Sequence, residues 1–237
     1  TSEATSEPTS EATSEPTSEP GVDSLIYIGA EHFSGAGPFN VDDFAVGAGY
    51  EGKNLLIGVA AGRVDSVATP TVTCAINGGS PLVPIASVSS GRVTMHYYLV
   101  PYDTLTDVDI ETTSSVSLQR MSVFVYSVGA VVLVDDEGAV DNNNTHTFTT
   151  DVPANGIVVG MAMGRTTSDG GGSGTASTIR ELPGVAQNFS VTRSSAPAPS
   201  ALTWTNATEH EEVTAGTSAN FMASLFILLE PSELPSE

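Results

Sequence analysis

The residues with the clearest capacity for chemistry are the four histidines, His32, His96, His146 and His210. They lie far apart, and none stands at metal-ligand spacing from a second His or a Cys. The sequence has no G-x-S-x-G motif, and its many Ser and Thr residues have no identifiable base beside them. His96 falls in an alternating strand pattern, where an outer-face position is expected. We therefore expect no enzyme: no catalytic residue, no bound cofactor and no metal site.

Oxygen ligands are concentrated in one segment, which contains Asp135, Asp136, Glu137, Asp141 and the three asparagines at 142–144. A loop with such ligands can hold calcium. The order does not match an EF-hand, because the glycine comes too early and the bidentate Glu is missing. The favoured interpretation is an acidic, solvated loop between two strands, with calcium binding by residues 135–144 as the alternative. The pair Asp42 and Asp43 is interpreted in the same way.

Two further features bear on carbohydrate. Asn143, Asn188 and Asn206 each begin an N-x-[ST] sequon, which matters only in a host that glycosylates. The aromatic residues that could stack on sugars are few, namely Tyr97, Tyr98, Tyr102 and Trp204. A glycan-binding surface is therefore an open alternative.

The elements that must position these residues are organised around the last apolar run, residues 219–229, read as ANFMASLFILL. Phe221, Leu225, Ile227 and Leu229 alternate with Met222, Phe226 and Leu228, so both faces of an extended strand would be apolar. A helix is the weaker interpretation, because no capping box precedes the run. The pattern predicts an interior strand that is buried on both faces and covered by a second layer.

Strand patterns recur through the rest of the chain, with turn signals every eight to twelve residues and no convincing helix. They fall at residues 24–29, 54–61, 69–76, 92–100, 104–113, 119–128, 130–134, 145–152, 155–165, 175–181 and 185–193, and around Trp204. The segments 145–152 and 155–165 are expected to pair through a turn at 153–156. The sequence therefore predicts an all-β, antiparallel two-sheet β-sandwich that is jelly-roll-like.

Two of these segments indicate which faces are covered. In residues 92–100, Val93, Met95, Tyr97 and Leu99 alternate with Thr94, His96 and Tyr98, which predicts a strand with one covered face. In residues 104–113, Asp107, Asp109 and Glu111 form an acidic row, which predicts an edge strand or a strand on an outer face. Cys74 is expected as a small buried hydrophobe.

The composition changes abruptly near residue 21. Residues 1–20 are five tetrads of the form TSE[AP], with no apolar residue larger than Ala or Pro. Such a segment cannot offset the entropy of folding, so we expect an extended low-complexity tail or linker. The predicted organisation is a tail at 1–20, one β-sandwich domain at 21–230, and an acidic C-terminal tail at 231–237.

The net charge of the chain limits the classes of binding partner that we expect. The chain carries 28 acidic and 7 basic residues, for a formal net charge of -21. This surface repels nucleic-acid phosphates and anionic lipid, so we expect neither nucleic acid nor membrane as a partner. The single cysteine excludes an intramolecular disulfide. The sequence contains no run of eighteen apolar residues, so we expect no membrane-spanning helix.

The order of segments resembles a family. NLLIGVAAG, then TVTCAINGGSPLVPIASVSSGRVTMHYYLVP, then TFTTDVPANGIVVGMAMG and the closing ANFMASLFILLEP follow one another along residues 21–231. This sequence of strands and turns resembles the jelly-roll or β-sandwich domain of tailed-phage virion structural proteins of the head-decoration, head-fibre or tail-fibre type. The resemblance implies no catalytic residue, and the TSE[AP] tail lies outside it.

The resemblance implies a non-enzymatic virion structural protein, a capsid decoration or head-fibre protein on the particle surface. Its expected partners are capsid or tail proteins and copies of itself, with a trimer implied by the family alone. The first alternative is a glycan-binding or host-attachment module of a fibre. The second is an extracellular filament subunit, in which a terminal segment completes a neighbouring sheet. The TSE[AP] repeat is a poor donor strand, because it lacks alternating apolar side chains.

Overall fold

The structure is a computed structural model. It describes residues 25–35, 38–44, 53–63, 69–91, 93–102, 108–115, 118–141, 145–153, 155–165, 175–180, 184–193, 202–205, 209–213 and 221–232. The predicted tail at 1–20 and residues 233–237 of the predicted C-terminal tail lie outside these ranges.

The described residues form sixteen strands. They are β1 (Ile26–Gly35), β2 (Phe39–Phe44), β3 (Lys53–Gly62), β4 (Val72–Ile76), β5 (Ala86–Ser90), β6 (Val93–Tyr102), β7 (Val108–Ser114), β8 (Leu118–Val128), β9 (Val131–Asp141), β10 (Thr145–Val152), β11 (Ile157–Arg165), β12 (Thr175–Arg180), β13 (Gly184–Arg193), β14 (Leu202–Thr205), β15 (Glu209–Val213) and β16 (Phe221–Pro231). The prediction of an all-β chain is confirmed. Among these residues, no helix has the length and apolar character needed to span a lipid bilayer.

Within the described ranges the strands form four antiparallel sheets. The first small sheet has the order β2-β7-β4, and the first large sheet has the order β1-β8-β3-β6-β5. The second large sheet has the order β15-β12-β11-β16-β9, and the second small sheet has the order β10-β13-β14. The prediction of two sheets is therefore wrong, because the described strands form four.

Three apolar cores join the four sheets in layers. A first outer core, with Ile57, Cys74 and Ile110 among its members, lies between the first small and first large sheets. A central core joins the two large sheets. A second outer core, which includes Phe148 and Phe189, lies between the second large and second small sheets. Each large sheet is therefore covered on both faces, as a sheet with apolar side chains on both faces requires.

Strand β16 shows why two layers are too few. Leu225, Ile227 and Leu229 belong to the central core, whereas Phe226 and Leu228 belong to the second outer core. The prediction of a strand buried on both faces is confirmed, and β16 lies between β11 and β9 in its sheet. A strand in a two-layer sandwich has one outward face, so burial of both faces of β16 requires a layer on each side.

The face patterns of β6 and β7 are confirmed in part. Asp109 and Glu111 of β7 are exposed while Ile110 and Thr112 are buried, as expected for a strand on an outer face. Strand β7 lies between β2 and β4, however, and is not an edge strand. In β6 the expectation of one covered face is wrong, because Tyr98 is 1% exposed and packs in the first outer core.

Turns confirm one predicted boundary and correct one predicted pairing. After β4, Asn77 and Gly78 take positive φ angles of 49° and 67°, so the chain turns where the predicted strand at 69–76 ends. Before β11, Asn155 has a φ of 65° and the Gly156 N–H donates to the Pro153 carbonyl. The strands on either side of this second turn do not pair. Strand β10 pairs with β13, and β11 pairs with β12 and β16, so the turn carries the chain from one layer to the next.

The two large sheets approach closely where glycines face a neighbour. A Cβ atom on Gly58 of β3 would lie 3.0 Å from the Tyr97 ring and 3.3 Å from the Met161 sulfur. A Cβ atom on Gly138 of β9 would lie 2.5 Å from the Val88 Cβ of β5. The contact between the large sheets therefore depends on the absence of a side chain at these two positions.

The chain falls into two halves with a shared arrangement. The N-terminal half (β1–β8) and the C-terminal half (β9–β16) each build one five-stranded and one three-stranded sheet. In each half the first, last and third strands are neighbours in the large sheet, and the second strand is at an edge of the small sheet. The halves differ after that, because β3 pairs with β6 whereas β11 pairs with β12.

Candidate functional site

Three histidines whose side chains the structure describes each contact a serine. The pairs are His32 Nδ1 with Ser122 Oγ at 2.8 Å, His96 Nδ1 with Ser87 Oγ at 2.8 Å, and His146 Nδ1 with Ser224 Oγ at 2.7 Å. The pairs lie in different parts of the molecule and do not combine. His210 lies in β15, opposite Thr178 of β12 in the strand register.

Local strand geometry accounts for the first two pairs. His32 stands directly opposite Ser122 on β1 and β8, and Ser87 stands directly opposite His96 on β5 and β6. Side chains at such positions on one face of a sheet are neighbours, so the contacts follow from the register. These two pairs are cross-strand contacts within the first large sheet.

The third pair joins two layers. His146 of β10 and Ser224 of β16 are both buried, and the hydrogen bond between them links the second small sheet to the second large sheet. Four residues further along β10, the Thr150 hydroxyl donates to Asp135 Oδ2 of β9 at 2.9 Å. Burial of polar groups is tolerated only where they are hydrogen-bonded, and both contacts meet that condition.

A cleft opens at the His146–Ser224 pair, along the side of the molecule where β9 and β10 run. Its volume is about 180 Å³. It is lined by Glu137, Ala139, Thr145, His146, Thr147, Ser224 and Phe226. Pockets for small molecules commonly have volumes of roughly 300–1,000 Å³. The cleft is thus the size of a side-chain pocket.

The segment predicted to be an acidic loop forms part of one side of this cleft. Residues Asp135 to Asp141 belong to β9 and pair with β16, so the expectation of a loop is wrong. Asp135 accepts hydrogen bonds from the Asp136 N–H and from Thr150, which occupies both of its carboxylate oxygens. Consecutive strand residues point to opposite faces, so Asp136 and Glu137 do not converge. Within the described ranges, no three His, Cys, Asp or Glu side chains could hold a metal ion.

The His146–Ser224 pair has the residue types of a nucleophile and its base, but its setting favours a structural role. Ser224 is 1% exposed and lies on a strand buried on both faces, so very little of its side chain is accessible from the cleft that it lines. The same Nδ1–Oγ contact recurs at His32 and His96. The pair is therefore best described as a polar contact between layers.

Burial changes the ionisation of three groups around the first outer core. Desolvation raises the pKa of the Cys74 thiol to about 12, so the thiol stays protonated and unreactive. Desolvation, with a smaller contribution from Cys74, raises the pKa of the Tyr98 phenol above its usual range. Desolvation lowers the pKa of His96, which disfavours its charged form.

The remaining candidates are placed as follows. Tyr97 and Tyr98 are fully buried, so neither forms part of a sugar-stacking surface. Tyr102 and Trp204 lie in β6 and β14, and their side chains are outside the described part of the structure. The sequons at Asn143 and Asn206 begin outside the described residues.

The last two candidates lie in strands. Asn188 is exposed on β13 and accepts a hydrogen bond from Thr149 at 2.7 Å. Asp42 and Asp43 lie in β2, and their side chains are outside the described part of the structure.

Sequence reasoning missed the serine partners and the cleft. A signal for Ser224 was present, because a hydroxyl inside a strand predicted to be buried on both faces must find a partner. Nothing in the spacing identifies that partner as His146, which lies 78 residues earlier.

These features define a class: a layered, all-antiparallel β protein whose histidine–serine pairs join strands within a sheet at His32 and His96 and join two sheets at His146. Comparison with protein-family models, with curated proteins and with solved structures found no match to the chain.

Proposed function

We propose that the chain is a non-enzymatic structural protein of a tailed-phage particle, displayed on its surface as a capsid decoration or head-fibre protein. The observation that carries the proposal is the use of the apolar residues. They fill three cores between four sheets, and the outer faces of β7 and β10 carry polar side chains, with the carboxylates of Asp109 and Glu111 on β7. A solid β stack with an acidic exterior is suited to a durable, soluble surface.

We also propose that the N-terminal half is a jelly roll, a fold common in viral capsid proteins. An eight-stranded jelly roll places its first, eighth, third and sixth strands in one sheet and its second, seventh, fourth and fifth strands in the other. The orders β1-β8-β3-β6 and β2-β7-β4 support this assignment. Strand β5 departs from it, because it pairs with β6 and not with β4. The strand orders of the C-terminal half do not follow the pattern beyond β9, β16 and β11.

The test is the composition of the particle. Mass spectrometry of gradient-purified particles from the source of this sequence should detect the chain at many copies per particle. Purified protein should co-sediment with particles from which it has been stripped. Absence from intact particles, or failure to co-sediment, would contradict the proposal.

A further inference from the structure

Strand β9 presents an edge of the second large sheet. It pairs with β16, and no described strand pairs with its other side. Val132 is 48% exposed and Val134 is 49% exposed, which makes them two of the four exposed large hydrophobic residues in the described chain. An open strand edge with apolar side chains is a template for an added strand.

The second half of β9 limits which strand can be added. Asp135, Asp136 and Glu137 follow the two valines and are exposed. A second copy pairing through β9 would place carboxylates against one another in every register that overlaps the two acidic runs, because both partners carry the same run. The TSE[AP] repeat of this chain has one glutamate in each tetrad, so it would bring the same repulsion. Like charges directly opposite destabilise a strand pair.

The cleft beside β9 supplies a pocket of defined chemistry. Ala139 and Phe226 provide apolar surface, and Glu137 provides the carboxylate among the lining residues. Long cationic side chains bury their methylene stems on apolar surface and keep the charged head at a polar partner. A lysine or arginine side chain therefore fits this pocket better than a free metabolite does.

We propose that the edge of β9 and its adjoining cleft bind an extended, basic segment of another protein by strand addition. The segment pairs with the backbone of β9 and sets small apolar side chains on Val132 and Val134. It also places a lysine or arginine head at Glu137. The acidic run at residues 135–137 has two effects: it attracts a basic partner, and it disfavours pairing with the acidic run of a second copy. This inference goes beyond the proposed virion role and does not depend on it.

The direct test uses synthetic probes and the full chain. An eight-residue peptide that alternates serine with valine in one half and serine with lysine in the other is titrated at low salt by isothermal calorimetry and by amide chemical shifts. This pattern places valine and lysine on the same face of the added strand, as Val132 and Glu137 require. We expect saturable binding that weakens with added salt, because the contact is partly electrostatic. Shifts should concentrate on β9 and β10 and spare β7. The same peptide with glutamate in place of each lysine, and the TSEATSEP segment itself, should not bind.

Two matched variants separate a site from general charge. Glu137→Gln should weaken binding of the lysine peptide about tenfold, the effect of losing one charge-assisted hydrogen bond. Glu111→Gln removes the same charge from an exposed strand position on the opposite small sheet, and it should leave the affinity within about twofold. Three results would each overturn the proposal: no binding of the lysine peptide, equal losses in the two variants, or equal binding of TSEATSEP. None of them bears on particle composition.

Discussion

The two outer cores join sheets in different ways. Beside the first outer core two buried hydroxyls bond to backbone carbonyls: Thr94 of β6 donates to Pro70, and Thr112 of β7 donates to Phe39 within its own sheet. In the second, side chains bond to each other across two sheets, in the pairs His146–Ser224 and Thr150–Asp135. We call the contact between the first small and first large sheets the first joint, and the contact between the second large and second small sheets the second joint. The first joint therefore depends mostly on apolar burial. The second joint adds directional hydrogen bonds between particular side chains.

The difference has a structural consequence. A backbone carbonyl is present at every residue, so a hydroxyl can find one in many registers. A histidine–serine pair exists in one register only, so it fixes how the second small sheet sits on its neighbour. The polar pair also interrupts the apolar packing at the edge, and the cleft opens there. We infer that the second joint gains specificity of alignment and leaves a place for a partner.

The largest expected effect comes from the aromatic packing of the second outer core. The Phe148 ring lies 5.7 Å from Phe226 and 6.5 Å from Phe189, measured between centroids. Phe148→Ala should lower the free energy of unfolding by about 3–5 kcal/mol, through lost burial and the cavity left behind. Urea denaturation measures it, with the exposed Thr147→Ala as the control, expected within about 0.5 kcal/mol. A loss below about 1 kcal/mol would mean that apolar packing contributes little to the second joint.

The contact between the two large sheets, one from each half of the chain, provides a stability effect with which the two outer joints can be compared. Gly138→Ala would place a Cβ atom 2.5 Å from the Val88 Cβ, so a strand must shift. We expect a loss of about 1–3 kcal/mol in the free energy of unfolding, the usual cost of overpacking. Gly129→Ala, where a Cβ would meet nothing within 4 Å, should have little effect.

A double variant tests the cause. Val88→Gly removes the atom that Gly138→Ala would meet, so the two changes together should cost less than their sum. Additive costs would show that the β5–β9 approach is not the source of the strain.

The residues show which features of the fold a sequence can predict. Alternation in the run around Leu225 and Phe226 identified a strand buried on both faces, and the acidic row of β7 identified an outer face. Residues 135–141 were missed because Asp, Glu and Gly are depleted in strands. Pairing with β16 overrides that local preference. The number of layers was missed because covering both faces of β16 requires a third layer, which the prediction of a sandwich did not include.

The candidate site was predicted less well than the fold. His146 and Ser224 are 78 residues apart in sequence, and no motif connects them. The turn at Pro153–Gly156 favoured a hairpin, yet the strands on either side enter different sheets. A turn signal fixes where the chain bends and not which layer it enters. The contacts that form the cleft depend on that layer, so local patterns could not reveal them.

The histidine–serine pairs sharpen the comparison between buried and surface contacts. Ser224→Ala leaves the buried His146 ring without this hydrogen bond, and we expect a loss of about 1–3 kcal/mol. Ser87→Ala removes the same contact at an exposed serine and should change stability by about 0.5 kcal/mol or less. The double variant His146→Phe with Ser224→Ala should recover part of the loss, since replacing both partners with apolar groups can be nearly neutral. Equal losses from the two serine variants would contradict a special role for the second joint.

The smallest expected effect is a dependence of stability on pH at His96, beside the first outer core. Burial lowers the pKa of His96 in the folded protein, while an unfolded imidazole titrates near about 6.5. Below that pH the unfolded chain takes up a proton that the folded chain resists, so stability falls as the pH drops from about 6.5 towards the folded-state pKa. The decline in urea midpoint between pH 7.5 and pH 5.5 should therefore be smaller in His96→Gln than in the parent protein. Equal declines in the urea midpoint of the two proteins would show that burial of His96 does not couple protonation to folding. The stability of the first joint would then not depend on the protonation of His96.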